Sequence, residues 1–163
     1  MINHFLLSVS DGVLTANSLE AKDLNLPEIT REFDTDDRVG YVGKVPIPLK
    51  FGEMTASFTC TKVTRVLRQI LSGLAPITLT FRGVEIEGGS YNTVVTTVVG
   101  FTSTLPMGEF AADGTGEYNF EIMATQIQES INGVVTLRFI PESYIYEVNG
   151  VNLLERIAGS LGI

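Results

Sequence analysis

A chain of 163 residues, 44% apolar and 18% charged, is the size of one globular domain and can bury a core of its own. This argues against a modular or disordered protein, and no apolar run approaches the roughly 20 residues of a membrane helix. The net charge of −8 is uneven: residues 1–82 hold nine acidic and nine basic side chains, while residues 83–163 hold ten acidic ones against Arg138 and Arg156, which disfavours stable nucleic-acid binding through clustered cations.

Met1 to Leu7 lack a basic flank, a long apolar centre and a small-residue cleavage site, so the start does not read as a secretory signal. An apolar N-terminal strand around His4 is expected. Residues 34–52, DTDDRVGYVGKVPIPLKFG, have no clear period and carry three glycines and two prolines. That is long for a loop in a compact domain, so the segment is expected to be functional, as an arm or as a hairpin that finds its partner elsewhere. Its apolar residues Val39, Tyr41, Val42, Ile47 and Leu49 have no evident place in the core and are candidates for an inter-subunit contact.

Met54, Ala56, Phe58 and Cys60 then alternate with Thr55, Ser57, Thr59 and Thr61, the pattern of a strand with one buried face. The next segment changes period. Val63, Val66, Leu67, Ile70 and Leu71 form one helical stripe over Lys62 to Ser72, with Thr61 placed to cap it and Gly73 to end it. Lys62, Arg65 and Arg68 fall on the other side and read as a solvated face. Ile77, Leu79 and Phe81 alternate with threonine, but Val84 and Ile86 follow on the opposite parity, so a bulge is expected at Arg82–Gly83. Thr93 to Phe101 and Glu117 to Ala124 read as long strands. Asn132–Gly133 is a hairpin signal leading into Val134 to Ile140, and a short strand is expected from Ser143 to Val148. A second short helix is expected from Asn152 to Ala158, closed by Gly159.

Groups that could perform chemistry are few. His4 is the sole histidine, and Cys60, the sole cysteine, sits in the buried phase of its strand and reads as core. Asp34, Asp36 and Asp37 lack the spacing of a calcium loop. Gly40 to Lys44 is too short for a phosphate-binding loop, and no Ser or Thr follows the lysine to hold magnesium. Gly108 to Gly116 precedes no helix that could bind phosphate. No catalytic, metal or cofactor site is therefore assigned. Glu85, Glu87, Glu117 and Glu121 occupy the polar phase of their strands, and if those strands lined a channel the wall would be acidic.

The order of features resembles one family along most of the chain. Leu26-Pro27-Glu28-Ile29-Thr30-Arg31, the Gly-containing loop, Val45-Pro46-Ile47-Pro48-Leu49, the strand and helix, Val148-Asn149-Gly150-Val151-Asn152-Leu153-Leu154-Glu155 and the final Leu161-Gly162-Ile163 are similar to the major tail tube proteins of contractile-tailed phages, the P2 FII-like family. Asn152 stands where that family usually has Asp, and the tail after Glu155 is less basic. The resemblance implies a mainly β protein with one domain over residues 1–163, a two-sheet antiparallel sandwich or barrel with a flanking helix and a short C-terminal helix. It implies that copies join in hexameric rings with a continuous ring-shaped β-barrel, stacked as the inner tube of a virion tail assembled in the host cytoplasm. The partners it implies are further copies of the chain, the tail sheath protein, the baseplate tube initiator and the tape measure protein, with DNA only in transit and no membrane anchor. The alternatives are the tube of an R-type bacteriocin or related contractile injection system and, from another class, a small-ligand-binding β-barrel. An enzyme ranks behind both.

Overall fold

The structure is a computed structural model that describes residues 4–16, 21–36, 45–107, 109–110 and 116–162. In chain order its elements are β1 (His4–Ser10), β2 (Thr15–Ala16), β3 (Ala21–Asn25), β4 (Arg31–Asp36), β5 (Val45–Phe51), β6 (Thr55–Cys60), α1 (Arg65–Ser72), β7 (Ile77–Glu87), β8 (Ser90–Thr104), β9 (Glu109–Phe110), β10 (Gly116–Ile131), β11 (Val134–Ile140), β12 (Ile145–Val148), β13 (Val151–Asn152) and α2 (Glu155–Leu161). Every strand pair described is antiparallel.

The period-two blocks become strands because alternate side chains can enter a shared core. One layer has the order β13-β12-β11-β10-β8-β7-β1-β2, and the second is built from β3 and β6, which pairs with the first half of β10. Leu7, Val9, Ile77, Leu79 and Val98 of the first layer face Ala56, Phe58, Cys60, Phe120 and Ile122 of the second. Leu67, Ile70 and Leu71 of α1 complete this core. The expected sandwich is present, and the described strands do not close into a barrel within one chain.

Strand β10 belongs to both layers. Its residues Tyr118 to Met123 pair with β6, a register shift falls between Ala124 and Gln126, and Ile127 to Ile131 then pair with β11 as well as with β8. The irregularity bends the strand from one sheet to the other. Gly100 of β8 lies opposite Ala124. A Cβ at Gly100 would lie closer to the Met123 carbonyl oxygen and the Ala124 Cα than the 3.0 Å that real Cβ atoms keep. The two strands can approach so closely only because residue 100 has no side chain.

Several expected details change. Strand β7 has no bulge at Arg82–Gly83, since its registers with β1 and β8 run without interruption. The apparent slip arises because packing ends near Gly83: beyond it both faces leave the sandwich, and Val84 and Ile86 continue on the face of Thr78 and Thr80. Helix α1 starts at Arg65, with Thr64 rather than Thr61 as its cap; the Leu67 N–H donates to Thr64 Oγ1 at 3.2 Å. Residues 61–64 are spent turning the chain from strand to helix, which leaves Val63 before the helix and Val66 40% exposed at the margin of the stripe. Pro141–Ser143 form a 3-10 turn and Tyr144 is left-handed, so the strand expected from Ser143 begins at Ile145. The second helix begins at Glu155 because Val151 and Asn152 pair with β12, and it runs through Gly159. Asn132–Gly133 forms the expected turn, both residues having positive φ as a tight two-residue hairpin demands.

Candidate assembly surfaces

The described parts of the segment from 34 to 52 lie on two paired strands. Strands β4 and β5 pair with each other, from Arg31 opposite Phe51 to Asp36 opposite Val45, and with no other described strand. Ile47 and Leu49 lie on β5, with Ile47 opposite Asp34; Val39, Tyr41 and Val42 lie outside the described residues. Asp34 and Asp36 lie on β4, Asp37 lies outside the described residues, and among the described residues no cluster of three or more His, Cys, Asp or Glu could hold a metal.

The root of this hairpin is fixed to the sandwich. The Gly52 N–H donates to the Thr30 carbonyl at 2.8 Å, and the Ala124 N–H donates to the Met54 carbonyl at 2.8 Å. The Phe51 ring stands edge-on to Phe139 and Tyr146, with centroids 4.8 and 5.5 Å away, and these rings pack with Ile29, Met54 and Ile127 in a second small core. The Arg31 guanidinium lies 5.5 Å from the Phe51 ring and 5.9 Å from the Phe33 ring. This root is not legible in the sequence, because Phe139 and Tyr146 are far along the chain and nothing local pairs them with Phe51.

The two ends of the main sheet differ. Strand β1 pairs with β7 along its full length but with β2 only at Val9 and Ser10, so the other edge of His4 to Ser8 has no described strand beside it. Phe5 and Leu6 are 44% and 56% exposed there, an edge of the kind that invites pairing with another chain. His4 is exposed at its start. At the far end the side chain of Asn152 ties β13 to β12. Its Oδ1 accepts from the Tyr146 and Leu154 N–H groups at 3.1 and 3.0 Å, and its Nδ2 donates to the Tyr144 carbonyl at 3.3 Å. The side chain thus extends the pairing of β13 with β12 toward Tyr146 and Tyr144. An aspartate could accept both of these bonds but could not make the third.

Helix α1 does not present its cations as one solvated stripe. Lys62, which precedes the helix, and Arg65 are exposed, but Arg68 is partly buried, donates from Nη1 to the Pro106 carbonyl at 2.7 Å and lies 5.8 Å from the Tyr118 ring. Cys60 is buried, as its strand phase requires.

The four glutamates separate. Glu85 and Glu87 share the parity of Ile77, Leu79 and Phe81, on the side of the first layer that packs inward, past the end of the core. Glu117 and Glu121 lie on the exposed face of β10, opposite in parity to Phe120 and Ile122, where the second layer turns outward. Glu121 accepts a bond from Thr104 Oγ1 at 3.1 Å. These four residues do not form one wall of a single chain.

A family model described as phage tail tube protein FII matches residues 11–162. No curated protein sequence matches the chain. Among solved structures the chain is similar to one in the cryo-EM structure of an extracellular contractile injection system, the PVC sheath/tube terminator in its extended state. The TM-score is 0.56 at 14% identity, over 80% of this chain and 95% of that one, a likeness that carries the fold alone.

Proposed function

The chain belongs to the FII family of phage tail tube proteins, structural components of a tail, and we propose that its copies form six-membered rings stacked into a tube inside a sheath, through which DNA passes. The observation that carries this reading is the β4–β5 hairpin, which pairs with no other described strand and stands on a root packed into the protein. An arm of this kind gains its stabilising contacts from a second copy. The open edge of β1 supports the same reading, since a sheet continued across copies removes the edge. In electron micrographs the purified protein should form rings or hollow tubes. Deleting Val39 to Lys44 should leave a folded protein that forms neither, and normal polymerisation of that variant refutes the role of the arm.

A further inference from the structure

Beside the root of the arm lies an open groove of about 790 Å³. Phe5, Leu24 and Leu26 give it an apolar lining, Asp23, Glu28 and Glu53 line it with carboxylates, and no Lys or Arg is among its described lining residues. We infer that this groove is the receptor for the tip of the arm of a second copy, a proposal that rests on the reading of residues 34–52 as an inter-subunit arm.

The tip has the complementary chemistry. Arg38 and Lys44 flank Val39, Tyr41 and Val42, with Asp37 as the sole acid from residue 37 to residue 44. Apolar side chains between two cations match an apolar groove edged by three carboxylates, and such matching sets orientation and encounter rate as well as affinity. It also answers a problem of the whole molecule. Copies with a net charge of −8 repel one another on average, so association needs a local region where the signs are opposite.

The groove and the tip belong to opposite ends of the β4–β5 pair: Thr30 lines the groove, while Asp36 opposite Val45, six residues on, is the last described pair before residues 37–44. Each copy therefore offers a tip at one place and a receptor at another, a head-to-tail contact that repeats from copy to copy.

The test is a charge exchange. The tip variant carries Arg38→Glu and Lys44→Glu, the groove variant carries Glu28→Lys and Glu53→Lys, and a third protein carries all four changes. Polymerisation is followed by sedimentation and electron microscopy, and circular dichroism checks the fold. Each double variant should raise the concentration needed for polymerisation by roughly tenfold or more, and the fourfold variant should recover most of the loss. A groove variant that polymerises like the unmodified protein while the tip variant fails would overturn the groove and leave the arm standing. A fourfold variant no better than the doubles overturns the groove equally. Unmodified protein that never associates removes both readings. As an independent measurement, Asn25→Cys protein mixed with Tyr41→Cys protein should give disulfide-linked pairs on oxidation of the tubes, with Cys60 buried out of reach. Tubes that contain no such pairs refute the contact.

Discussion

Leu67 and Val66 are neighbours in α1 with very unequal expected costs, and the contrast tests the face that the helix buries. Leu67 is 1% exposed in the main core, whereas Val66 is 40% exposed. Leu67→Ala removes three carbons at about 0.8 kcal/mol each, roughly 2.4 kcal/mol of transfer free energy, and the cavity left between α1 and the sheets brings the total to about 3–4 kcal/mol. Val66→Ala removes two carbons that are little more than half buried, about 1 kcal/mol, of which roughly half is returned by alanine's better helix propensity. The net cost at Val66 is therefore about 0.5 kcal/mol. Urea denaturation of the unpolymerised protein, read at constant m value, measures both. Equal losses at the two positions, or a Leu67→Ala loss below about 1 kcal/mol, would show that the stripe is rotated or that α1 does not close the core.

The remaining expectations concern other parts of the sandwich. Gly100→Ala forces β8 away from Met123 and Ala124 and should cost about 2 kcal/mol or more in the same assay; a neutral result would mean that the strands do not approach so closely. Thr96 is 5% exposed and its Oγ1 has no hydrogen-bond partner among the described residues, so Thr96→Val, which keeps the shape, should raise stability by about 1 kcal/mol. A loss there would reveal a partner for the hydroxyl. Asn152→Ala leaves the Tyr146 and Leu154 N–H groups without their acceptor and should cost about 1–3 kcal/mol, with faster amide exchange at Tyr146 as the local readout. Asp11 accepts from the Leu14 and Val13 N–H groups at 2.7 and 2.9 Å, and these bonds hold its carboxyl below the ordinary 3.8. Its contribution to the turn is thus full above that ordinary value and is lost as pH falls through the depressed one. A side-chain NMR titration with its midpoint at or above 3.8 contradicts this account.

The arrangement of apolar residues along the chain carries much of this architecture by itself. Alternation at Met54, Ala56, Phe58 and Cys60 states which side of β6 is buried, since a strand's faces follow directly from parity, and Asn132–Gly133 marks its turn because few other pairs accept that backbone. The ordered segments from Leu26 to Arg31 and from Val148 to Glu155 likewise carry the family. Parity fails where a strand outruns its core. Val84 and Ile86 mimic a bulge in β7, and only the uninterrupted registers with β1 and β8 show that packing, not the backbone, has ended. The same limit applies to the surfaces of assembly. Phe51 meets Phe139 and Tyr146, Asn152 ties β13 to β12, and Phe5 shares a groove with Glu28 and Glu53 because sheets bring distant segments together. Four glutamates with the same local pattern separate onto two surfaces, because the bend of β10 from one layer into the other is a long-range event that no local period encodes.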